Sequence, residues 1–90
     1  MENNQILVNF TIETIQLPSN FQEIIKHEQA LIGKWKVDGL VEHLFLKPTK
    51  NGAVIIFTGL EEDKVKELMQ SLPLYQFLKS VEYLPLIKQF

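Results

Sequence analysis

The sequence predicts an α+β domain in which a four-stranded antiparallel sheet carries two helices on one face. Three observations predict it. Apolar residues alternate or cluster at strand spacing in four segments. They repeat at helical spacing in two others. The segments follow one another as β-α-β-β-α-β, the split βαβ or ferredoxin-like arrangement. With 90 residues, one domain over 1–90 is the natural count.

The first strand is read at 5–13, where Ile6, Val8, Phe10 and Ile12 share one face and Leu7, Asn9, Thr11 and Glu13 the other. Leu17-Pro18 stops it. Ser19, three residues before Gln22, has capping-box spacing and predicts a helix start. Phe21, Ile24, Ile25, Leu31, Ile32 and Trp35 repeat along this helix, which should close near Asp38-Gly39 with Gly39 left-handed. The second strand is read at 40–47. Plain alternation puts Val41, His43 and Phe45 on one face and Glu42, Leu44 and Leu46 on the other. Asn51-Gly52 favours a turn. The apolar run 53–58 is a well-covered strand. The second helix, at 61–72, has Glu61, Glu62 and Asp63 in its first turn, as the helix dipole prefers. Val65, Leu68, Met69 and Leu72 form its buried stripe. Pro73 ends it. The last strand is read at 78–87, with Pro85 placing its end at an edge or a bulge.

Composition excludes several function classes. There are no cysteines, so disulfides, zinc fingers, iron–sulfur clusters and thiol nucleophiles are excluded. All nine basic residues are Lys and the net charge is −2. Without Arg there is no bidentate fork for guanine or phosphate, and the Lys residues are scattered, so no nucleic-acid partner is expected. No apolar run approaches a membrane span. The start Met1-Glu2-Asn3-Asn4-Gln5 is polar and acidic, unlike a signal peptide. The expectation is a cytoplasmic protein. Two His and no carboxylate cluster give no metal signature, and there is no phosphate loop or nucleophile elbow.

Two features point toward function. The helices cover one sheet face, yet the strands carry apolar side chains on both. Such a patch marks a binding surface, and packing two sheets face to face would bury it, so a homodimer is expected. The second feature is Glu28, which lies near the centre of the apolar stripe of the first helix. A buried carboxylate is costly unless paired, and desolvation raises its pKa. A carboxyl held near neutrality suits general acid–base work. The same placement also suits a structural carboxyl bonded to backbone, Tyr75 or Tyr83. His27 points away from the stripe centre, to a solvent-facing or rim position. His43 is either a satisfied core or interface histidine or a group that donates and accepts protons near neutral pH. Tyr75, just after Pro73, is placed to hold a ligand oxygen. Trp35 reads as core.

The chain resembles the muconolactone delta-isomerase family of the dimeric α+β barrels. The matching residues are His27-Glu28 on a helix continuing to Gly39, Glu42-His43 on the next strand, and the apolar strand 53–57. Ser71-Leu72-Pro73-Leu74-Tyr75 and Val81-Glu82-Tyr83-Leu84-Pro85-Leu86 complete the pattern. The resemblance implies a cofactor-independent isomerase that moves a proton on a small unsaturated lactone or organic acid. It assigns Glu28 as proton shuttle and His43 and Tyr75 as groups that orient the substrate or polarise its oxygen. It implies a homodimer or a larger ring, a small-molecule substrate, and no cofactor or metal. The chain departs from the family at His27 and Glu42, where basic residues are usual, and Lys26, Lys34 and Lys47 are the candidates to compensate. The same fold also serves non-catalytic binding or assembly proteins and cofactor-free monooxygenases, so fold does not by itself deliver function.

Overall fold

The computed structural model describes residues 4–13, 17–49 and 51–89. The polar start at 1–3 and Lys50 of the connecting turn lie outside them. Strand β1 (Asn4–Ile12) leads to helix α1 (Phe21–Val37), strands β2 (Val41–Leu46) and β3 (Gly52–Thr58), helix α2 (Glu62–Gln70), a 3-10 turn (Tyr75–Phe77) and strand β4 (Leu78–Ile87). The strands form one antiparallel sheet in the order β2-β3-β1-β4. This is the ferredoxin-like topology.

The alternation of β1 survives as burial. Ile6, Val8, Phe10 and Ile12 are buried, and they meet Val65 and Met69 of α2 and Ile32 and Trp35 of α1 in one core. Phe57, Ile55, Met69, Val8 and Val65 are its largest fully enclosed side chains. Each contributes roughly 1.5–3 kcal/mol of burial. The Trp35 ring lies 5.8 Å from that of Phe57, which ties α1 to the middle of the sheet.

Both ends of α1 have identifiable causes. Its start differs from the expected capping box: Asn20, not Ser19, takes the cap position, and no side chain caps the helix. Backbone bonds serve instead, with Phe21 N–H donating to Pro18 O and Glu23 N–H to Asn20 O. At the other end Gly39 has φ +82°. There Leu40 N–H donates to Trp35 O and Gly39 N–H to Lys36 O. That pair of bonds is the Schellman closure, which a left-handed glycine permits.

Strand β2 departs from plain alternation. The register slips between Val41, opposite Phe57, and His43, opposite Ile56. Glu42 is the extra residue of this bulge, and every residue after it changes face. Leu44 and Leu46 now lie opposite Ile55 and Ala53, on the helix-covered side. His43 and Phe45 lie opposite Ile56 and Val54, on the uncovered side. Val41 and His43 therefore do not share a face, contrary to the sequence reading.

Pro85 sits in β4, which pairs only with β1 and so forms an edge. The uncovered face carries Leu7, Phe45, Val54, Ile56, Leu84 and Leu86. Phe45 and Leu84 are about half exposed, at 56% and 49%. Among the described residues no helix is long and apolar enough to cross a membrane.

Candidate functional site

Helix α1 carries Glu28 into the space between the helix and the sheet. At 4% exposure it is the buried charged residue of the described chain. The apolar turns on either side, Ile24–Ile25 and Ile32–Trp35, pack on the core. Its Oε1 accepts the N–H of Leu74 at 3.2 Å. Leu74 is presented by the short segment that leaves α2 and enters the 3-10 turn. That turn is held by Tyr75 N–H to Leu72 O and Phe77 N–H to Leu74 O. A T-shaped contact between Phe21 and Phe77, 6.1 Å between centroids, fixes the turn against the start of α1.

A cavity of about 350 Å³ opens beside this carboxyl. Ile12, Ile25, Ile32, Leu44, Leu46 and Leu74 give it apolar walls, and Glu28, Gln29 and Lys47 are its polar side chains. Asn9 Oδ1 is the buried side-chain oxygen without a partner among the described residues. Glu28 lines the cavity, and its Oε2 has no hydrogen-bond partner among the described residues. Burial pushes the Glu28 carboxyl up to about 7, and the single Leu74 N–H pulls back only part of that. The carboxyl thus exchanges protons near neutrality while one oxygen is held and the other is free.

Of the other residues singled out in the sequence, Lys47 lines this cavity, and His27, His43 and Tyr75 do not. His43 is on the uncovered side of the bulged strand, its ring stacked on Phe45 at 5.7 Å. Tyr75 follows Leu74 directly but packs on the core and not on the cavity wall. It lies near Tyr83, whose phenol is pushed up by burial, with Tyr75 and Glu62 adding to the effect. Lys66 sits over the Tyr83 ring, 5.4 Å from its centroid. Lys47 is at the cavity, and its ammonium donates to Thr11 Oγ1 at 3.2 Å. His27 is exposed. Gln29, Leu44 and Leu46 were not visible as site residues. Parity hid the two leucines, because only the bulge turns them toward Glu28. Among the described residues no three His, Asp or Glu side chains come together as a metal site.

The chain matches no protein-family profile. No curated protein sequence matches it. Its structure is similar to the crystal structure of PA3566 from Pseudomonas aeruginosa, with a TM-score of 0.60 over 100% of this chain and 97% of that one. The two sequences are 9% identical, so the likeness is one of fold. The fold is α+β and ferredoxin-like.

Proposed function

We propose that this protein is a cofactor-independent isomerase in which Glu28 moves a proton within a small unsaturated lactone or organic acid. The observation that carries the reading is the Glu28 carboxyl itself. It is buried, poised at about 7, held through one oxygen by Leu74, and part of the lining of an apolar cavity. A general base works best when its pKa lies near the working pH. In the reaction, the carboxylate takes a proton from a carbon next to the substrate carbonyl. The electron pair spreads over the carbonyl and the adjoining double bond. The protonated Glu28 then returns the proton to the far carbon of that system. The double bond has moved, and nothing is gained or lost.

Tyr75 enters the proposal as a positioning residue, since it helps fix the segment whose Leu74 N–H holds Glu28. His43 does not line the Glu28 cavity but borders a neighbouring hollow between α1 and β2, so its proposed part is in substrate orientation rather than in proton transfer. The functional unit is a homodimer in the cytoplasm, formed by packing two uncovered sheet faces together. One observation favours a second reading, a non-catalytic small-molecule binder. The cavity wall is almost wholly apolar, with Gln29 and Lys47 as its side-chain donors, so few groups could meet a developing enolate.

A spectrophotometric isomerisation assay on muconolactone and related unsaturated lactones tests the proposal. Turnover should fall by roughly 10²–10⁴-fold in Glu28→Gln, the usual span of a general base, with an unchanged far-UV spectrum. In the wild type, kcat/KM should rise with pH through about 7, as the base loses its proton. Equal turnover in Glu28→Gln sinks the assignment. Ligand binding without turnover by the wild type moves the protein to the second reading.

A further inference from the structure

The Glu28 cavity does not end at its own walls. A second hollow of about 380 Å³ lies further along the same helix, between α1 and the edge strand β2. Gln29, Ile32 and Leu44 line both. The two hollows therefore adjoin, an apolar inner half and an outer half with more polar side chains along it. Gly33, Lys36, Glu42 and His43 border the outer half.

Two features of the outer half suggest what it holds. The first is electrostatic. Its acidic residue, Glu42, is already occupied: Oε1 accepts Gln5 Nε2, and Oε2 pairs with Lys88 at 3.1 Å. Lys36 has no acidic partner among the described residues. The outer groove is thus left with an uncompensated positive charge. The second feature is steric. Gly33 stands in the interior of a 17-residue helix, where glycine is the least favourable residue after proline. Nothing in the fold requires it there. A methyl group at Gly33 would meet no atom within 4 Å, and its φ is not left-handed. What the missing side chain does provide is an open floor in the groove.

We infer that the inner cavity and the outer groove form one site for an elongated amphiphilic anion, its apolar body over Ile32 and Leu44 and its carboxylate at Lys36, across the bare backbone of Gly33. Lys36 lies eight positions beyond Glu28 along the helix, a rise of about 12 Å at about 1.5 Å per residue. The anionic group is therefore remote from the reacting carbon. The inference takes from the proposed function that the Glu28 cavity seats an organic ligand, and it names the class of that ligand.

The test is amide chemical-shift mapping of the full chain during titration with octanoate and, in parallel, with 1-octanol. Binding is read without turnover, so a missing isomerase activity does not affect it. Octanoate should shift the amides of Glu28 and Leu74 together with those of Gly33 and Lys36. In Lys36→Gln its affinity should drop roughly threefold, the scale of an exposed ion pair, while 1-octanol should bind as before. Gly33→Leu should remove the outer shifts, and Gly33→Ala should preserve them. Octanoate shifts confined to Glu28 and Leu74, with equal affinity in Lys36→Gln, overturn the extended site and leave the inner cavity standing. No shift with either compound overturns both.

Discussion

Replacing Glu28 by glutamine keeps the shape of the side chain and its acceptor for the Leu74 N–H while removing the charge. It therefore isolates what ionising this buried carboxyl does to the fold. The folded protein holds Glu28 at about 7, against an ordinary value of 4.5 in the unfolded chain. Between those values the unfolded chain has lost the proton and the folded protein has kept it. The folded state binds more protons, so stability falls as pH rises through this window. The contribution is intact below pH 4.5 and is lost once the pH passes about 7. At roughly 1.4 kcal/mol per pH unit, the loss grows to about 3 kcal/mol near pH 8. Glu28 is 4% exposed but borders the cavity, so about 3 kcal/mol is the upper end of the effect. A domain of this size is stable by only about 5–15 kcal/mol, so the effect is readable.

Urea unfolding followed through Trp35 fluorescence measures it, since Trp35 is buried against Phe57. The protein concentration is held fixed, because association would add its own stabilisation. Wild type and Glu28→Gln should be equally stable near the ordinary carboxyl pKa. The glutamine variant should be more stable near pH 8, by up to about 3 kcal/mol. A difference between the two proteins that stays constant across this range refutes the argument, because Glu28 would then titrate alike in both states.

Further outcomes follow from the same geometry. Gly52→Ala should destabilise by about 2–3 kcal/mol in the same urea assay, because the new Cβ would run into the Phe10 carbonyl oxygen and press on Thr11 Cα. Sedimentation at micromolar concentration should show a dimer in the wild type. Leu84→Glu, on the uncovered face and half exposed, should shift it to a folded monomer with an unchanged far-UV spectrum. A monomeric wild type would remove the face-to-face assembly. Phe57→Ala should cost about 3–5 kcal/mol, since Phe57 is fully enclosed and carries the Trp35 contact.

Local periodicity was enough to read the element order, the inward face of β1, the stripe of α1 with Glu28 inside it, and the glycine that closes the helix. These depend on neighbours a few residues apart, and such spacings are visible in the chain. The face of His43 was not readable. A one-residue bulge at Glu42 reverses the parity of β2, and it is visible only in the pairing with β3, not in the spacing of the strand's own residues. The same reversal sends Leu44 and Leu46 to the cavity and His43 to the other side. The Leu74 N–H that holds Glu28 lies 46 residues away in sequence, and only the packing of the turn after α2 against α1 brings it there. The ferredoxin-like order and the one carboxyl out of place are both legible in the chain's local spacing. Tertiary structure decided what surrounds that carboxyl, because a cavity belongs to surfaces that meet across the fold and to no single segment.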